Sequence, residues 1–79
     1  MIDVRVKLTF PESLVRQPFM AVLVREHDVV PNIRRANVDD REGWIVCELG
    51  GAPAAVEAAI VWLRAEGIRV DLLGDVVDG

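Results

Sequence analysis

The sequence predicts an α+β domain in which a four-stranded antiparallel sheet carries two helices on one face. Three observations predict it. Residues 2–10 alternate strictly, with Ile2, Val4, Val6, Leu8 and Phe10 on one side and Asp3, Arg5, Lys7 and Thr9 on the other. That is the period of a strand with one buried face. Val56, Ala59, Ile60 and Leu63 recur at i, i+3, i+4 and i+7, the stripe of a helix packed on a core. Prolines and glycines divide the rest into segments whose order is strand, helix, strand, strand, helix, strand.

Each element follows from local chemistry. Pro11 ends the first strand. A turn over Glu12–Val15 leads to Gln17-Pro18, and proline suits a first helical turn because its missing N–H has no partner to lose there. Phe19, Met20, Val22, Leu23 and Glu26 follow at helical spacing, so a helix is expected over 17–27, closed by His27-Asp28. A second strand is expected over 32–39. Asp39 to Gly43 is a polar turn ending in glycine and suits a hairpin. The third strand, 44–49, points Ile45, Cys47 and Leu49 one way and Trp44, Val46 and Glu48 the other. Gly50-Gly51 ends it, Pro53 opens the second helix, and Gly67 stands where a left-handed cap would close that helix. Ile68, Val70 and Leu72 alternate in a last strand. The order is that of a ferredoxin-like βαββαβ fold, a single domain over residues 1–74 with residues 75–79 expected to be a mobile tail.

Bulk properties narrow the function. A chain of 79 residues with one cysteine has no internal disulfide and lacks the four or so thiolates of an iron–sulfur cluster. So small a core is marginal unless self-association reinforces it, and the 52% apolar content leaves some apolar surface for a partner. A net charge of −4 argues against nucleic acid, whose phosphates need a basic surface. No apolar run spans a bilayer, and the N-terminus lacks the pattern of a signal peptide, so a cytoplasmic location is expected. No cofactor is expected. His27, Asp28 and Cys47 could be drawn into a metal site or a nucleophilic pair, but Cys47 falls on the core face, where a thiol acts as a small apolar group. No acid–base pair stands out, so an enzyme is not expected.

One stretch does not alternate cleanly. In "VVPNIRRANV", residues 29–38, the apolar spacing jumps from Ile33 to Ala36. The extra residue predicts a β-bulge, a device that re-aims side chains at rims and sites. Arg34 and Arg35 could clamp a carboxylate or phosphate, or could be edge-strand charges that block wrong pairing. Asn32 could serve an amino-acid ligand with its amide, or could shape the strand entry after Pro31. Trp44 and Val46, on the face without helices, would make an interface with Ala36 and Val38; the simpler alternative for Trp44 is a lone exposed aromatic. Trp62 reads as a half-buried packing residue on the second helix.

Scattered pieces of the chain resemble the NIL domain, a ferredoxin-like module named after an Asn-Ile-Leu motif. They are "LTFP" at 8–11, Asn32-Ile33, "ANV" at 36–38, Gly43, "ELGG" at 48–51, "AAI" at 58–60, Leu63 and "IRVDLLG" at 68–74. They span nearly the whole chain in order. The third motif position is Arg34 rather than leucine. The family occurs at the C-terminus of methionine-importer ATPases, beside ferredoxin-type iron–sulfur domains, and alone. The resemblance implies a non-catalytic regulatory domain whose paired copies bind methionine between them, with Asn32, Ile33 and Arg34 at the ligand. It also implies a transporter or a ferredoxin-type protein as partner. "LGGAPAAV" lacks the lysine and spacing of a phosphate-cradling loop, so regulation would act through another polypeptide. A protein-docking subunit with no small ligand is the alternative.

Overall fold

The computed structural model describes residues 1–39 and 41–74. It contains β1 (Ile2–Phe10), a single 3₁₀ turn (Glu12–Leu14), α1 (Phe19–Glu26), β2 (Val30–Val38), β3 (Gly43–Gly51), α2 (Pro53–Ala65) and β4 (Arg69–Leu72). The sheet order is β2-β3-β1-β4 with every neighbour antiparallel. This is the expected ferredoxin-like arrangement. The expected mobile tail, 75–79, lies outside the described residues, as does Asp40 of the hairpin turn.

The core forms where the period-two face of the strands meets the stripes of the helices. Val6, Leu8 and Phe10 of β1, Cys47 and Leu49 of β3 and Val70 of β4 close against Phe19 and Leu23 of α1 and Val56, Ala59 and Leu63 of α2. Phe10, Phe19 and Trp62 stack in sequence, with ring centroids 5.8 and 5.6 Å apart, and His27 lies 4.5 Å from Trp62. Tilted contacts at these distances favour the aromatic quadrupoles, and they tie the two helices together. Trp62 is therefore the packing residue its position suggested.

Several boundaries move from their expected places, each for a physical reason. Pro18 is the N-cap of α1 rather than its second residue. The helix closes at Asp28, whose φ of 57° is left-handed. Aspartate tolerates that region better than most side chains, and the turn lets the Val29 N–H donate back to the Leu23 carbonyl at 3.2 Å. β2 begins at Val30, before Pro31, because an edge strand has no outer ladder for proline to break. β3 runs on through Gly50 and Gly51. At Gly51 a Cβ would stand 3.1 Å from the Asp28 carbonyl oxygen, so this glycine permits a close backbone approach rather than ending the strand. Gly67 has φ +99° and caps α2 as expected. The hairpin is tied by Asp39, whose Oδ1 accepts from the N–H groups of Arg41 and Glu42 at 2.8 and 2.9 Å. Both bonds hold its carboxyl below the usual aspartate value.

Candidate functional site

The irregular stretch is the edge strand, and it contains the expected bulge. Val30, Pro31, Asn32 and Ile33 face Gly50, Leu49, Glu48 and Cys47, and then the register jumps so that Arg35 faces Val46. Arg34 is the additional residue. The jump has a clear effect on the two sides of the sheet. Ile33, Ala36 and Val38 pair with Cys47, Ile45 and Gly43, all on the helix side, while Asn32, Arg35 and Asn37 pair with Glu48, Val46 and Trp44 on the open side. Without the bulge, Ala36 and Val38 would turn outward and Asn37 inward. The residues taken together as a candidate interface are thus divided. Trp44 and Val46 lie on the open face, and Ala36 and Val38 on the other.

The open face carries most of the chain's positive charge. Strand register places Arg5, Lys7 and Arg69 there with Arg35, and Arg34 reaches it from the bulge; Asp3, Glu48 and Asp71 are its carboxylates. Five cations against three acids make this face net positive on a chain of net charge −4. Arg69 and Asp71 pair with each other at 3.1 Å. The Lys7 ammonium sits 5.2 Å from the centre of the Trp44 ring, a cation–π placement.

Glu48 organises the centre of the face. Its Oε2 accepts from Arg5 Nη2 at 2.9 Å and its Oε1 from Arg34 Nη2 at 3.1 Å. The two arginines come from different strands on either side of β3, so the carboxylate joins β1, β3 and β2. Its side chain is only 12% exposed. The Arg5 hydrogen bond, supported by Arg34 and the nearby positive charge, holds its carboxyl below the ordinary value. Arg35 stands opposite Val46 and has no ion pair among the described residues. Arg5, Arg34, Arg35, Val46 and Leu73 together line a shallow depression of about 550 Å³. Leu73 is brought there by its N–H, which donates to the Arg5 carbonyl at 3.0 Å and prolongs the β4 pairing.

Cys47 and His27, which the sequence offers as metal ligands, are engaged in packing. Cys47 is fully buried in the core. Burial, with some help from the Glu48 charge, pushes its thiol up to about 11, which disfavours the reactive thiolate. His27 stacks on Trp62. Among the described residues no group of three or more His, Cys, Asp or Glu is placed to hold a metal ion, and no helix is long and apolar enough to cross a membrane.

Arg34 was visible from the sequence as a candidate. Arg5 and Glu48 were visible only as members of the open face. The signal that could have singled them out is charge alternation across a predicted β1–β3 pair, which needs the register to be known.

The fold and this face define a small ferredoxin-like α+β domain with a long strand edge left open among the described residues. The NIL domain family model matches residues 4–71, and the chain belongs to that family. It is 32% identical over 74 residues to the methionine import ATP-binding protein MetN 1 of Paraburkholderia xenovorans (strain LB400), a match covering 89% of this chain and 22% of the relative. The chain thus spans about a fifth of that relative's length. The crystal structure of the C-terminal domain of an ABC transporter ATP-binding protein from Enterococcus faecalis superposes with a TM-score of 0.78 at 23% identity, covering 92% of this chain and 86% of that one. That similarity establishes the shared fold.

Proposed function

We propose that the chain is a non-catalytic regulatory domain that binds a small ligand, methionine or a related sulfur compound, as a homodimer on the cytoplasmic side of a transport system. The observation that carries this reading is the placement of the family motif. Asn32 and Ile33 lie on a nine-residue edge strand whose outer hydrogen-bonding edge pairs with no other described strand. Val30, Ile33 and Val38 on that strand are 61%, 50% and 57% exposed. A long, partly apolar open edge is a template for pairing with another chain, and a second copy would bring two motif asparagines near one another. Likeness to an importer ATPase supports a transporter as the object of regulation. Coupling then consists of the ligand favouring one dimer geometry over another.

The test is calorimetric titration of the whole chain with L-methionine, homocysteine and cysteine, beside light scattering for its mass. Saturable binding to a dimer, lost in Asn32→Ala while the melting midpoint holds, is the expected outcome. A monomer, or binding indifferent to Asn32, overturns the reading. The net positive open face, with Trp44 toward its hairpin end, favours a second reading, docking to an acidic protein. In that case Trp44→Ala and Arg34→Glu disrupt a complex while Asn32→Ala is nearly silent.

A further inference from the structure

The charge of the depression beside the motif constrains what can sit in it. Three guanidinium groups, Arg5, Arg34 and Arg35, surround a floor of Val46 and Leu73. The carboxylate among them, Glu48, has one oxygen committed to Arg5 and the other to Arg34. The remaining acids of the face are set apart. Asp71 is engaged by Arg69, and Asp3 sits two residues along β1 from Arg5, opposite Gly50. A carboxylate entering the depression meets Arg35 and the unused N–H groups of its two neighbours, a geometry guanidinium forks suit. An ammonium group entering with it meets like charge, because no uncommitted carboxylate lines the depression.

We propose that this depression is an anion subsite, and that the domain's ligand is a small organic acid lacking a free ammonium group. A 2-oxo, 2-hydroxy or N-acyl acid with an apolar side chain fits this description. Its carboxylate lies on Arg35 with Arg5 and Arg34, and its side chain covers Val46 and Leu73. The zwitterionic amino acid is the disfavoured member of the series, rejected by an unpaired like charge rather than by shape. The inference rests on the small-ligand reading above and sharpens it to a chemical class. It also gives the replacement of the motif leucine by Arg34 a purpose, because that substitution adds one of the three cations.

Glu48 acts as an internal competitor. It satisfies two arginines when no ligand is present and keeps two of the three guanidinium groups partly occupied. Two substitutions therefore have opposite effects. Arg35→Gln removes the guanidinium that Glu48 does not hold. Glu48→Gln removes the competing charge and releases the other two.

The experiment is calorimetric titration of the full chain with L-methionine, N-acetyl-L-methionine and 4-methylthio-2-oxobutanoate, at low and moderate salt. The oxo and N-acetyl acids are expected to bind about tenfold tighter than methionine, with affinity falling as salt rises. Arg35→Gln is expected to weaken them about tenfold, and Glu48→Gln to tighten them several-fold, with melting midpoints confirming folded protein. If methionine binds as tightly as the acids, or Arg35→Gln changes nothing, the anion subsite is overturned while ligand binding by the domain stands. If none of the three binds, the small-ligand reading fails and takes the subsite with it.

Discussion

β1 and β2 are both nine-residue strands with apolar residues on their helix side, yet they end in opposite circumstances. In β1, Val6 and Leu8 have no exposure at all and Phe10 has 5%. In β2, Ile33 keeps half its surface and Val38 more than half. Composition does not explain the difference. β1 is central, flanked by β3 and β4 and overlaid by the helices, while β2 is an edge strand exposed along nearly its whole length. Burial is a property of position in the sheet, and the strand left uncovered is the one that carries the family motif. A strand that spends little of its apolar surface on its own core keeps it for a partner.

The contrast is broken most severely in the core. Leu23→Ala removes a side chain with no exposure and should cost about 2–5 kcal/mol, a large part of the whole stability of so small a domain. Urea denaturation measures it. Ile33→Ala, half exposed, should cost less than about 1 kcal/mol when the chain is dilute. If copies pair through β2, the loss grows as the concentration is raised, because association adds to apparent stability. A cost of several kcal/mol for Ile33→Ala in dilute protein would mean that β2 is part of the core after all.

Cys47 reports on the same boundary from the buried side. Its thiol value, raised from 9.0 to about 11, leaves about a hundredfold less thiolate at pH 8 than an unshifted thiol has. Alkylation of the native chain should therefore run at least about a hundredfold slower than in urea. The sign for stability follows. The shift favours the folded state while the thiol is protonated in both states, and that contribution is lost as the pH rises above 9.0, where the unfolded thiol ionises first. Fast native alkylation would show β3 to open readily toward solvent.

How much of this was legible depended on how local the cause is. The alternation from Ile2 to Phe10 is local, and β1 appears with the limits its pattern gives. The jump from Ile33 to Ala36 is also local, and the bulge stands there. Gly50 and Gly51 misled as strand terminators because glycine answers a tertiary constraint there: a Cβ would meet Asp3 Oδ1 at Gly50 and the Asp28 carbonyl oxygen at Gly51. The Arg5–Glu48–Arg34 group is farther still from local sequence. Alternation assigns each residue to a face but does not say which residues of neighbouring strands stand side by side. Ala36 and Val38 fall on the side opposite Trp44 for a related reason, because the bulge between Ile33 and Arg35 reverses which residues of β2 face the helices. The stack of His27 on Trp62 likewise depends on how two helices meet.

A smaller effect is expected at the cap of α2. Gly67 has φ +99°, and a Cβ there would also approach Leu14 Cδ1 to 3.3 Å. Gly67→Ala should cost about 1 kcal/mol or somewhat more, mostly in backbone strain, well below the core substitution. Thermal unfolding measures it. An unchanged midpoint would mean that the chain rearranges between α2 and β4 and that the protected side of the sheet is less rigid than β1 implies.

The smallest effect is expected on the open face, and it appears only as a dependence on pH. Glu48 has a folded-state value lowered from 4.5 by its bonds to Arg5 and Arg34. A lowered carboxyl contributes stability that is fully present above 4.5 and is lost as pH falls through the folded-state value. Asp39, lowered from 3.8 by two backbone N–H groups, loses its contribution in the same direction at more acid pH. In Glu48→Gln the first of these losses should vanish and the second remain. Wild type should thus exceed the variant by a constant margin from neutral pH down to about 5. The margin should close as the pH falls further, read as the urea midpoint against pH. The margin is small because both arginine partners are about half exposed, and ion pairs so open to water gain little over hydration. Parallel curves throughout the acid range would mean that Glu48 does not bridge the three strands in solution, and that Arg5 and Arg34 are as free as Arg35.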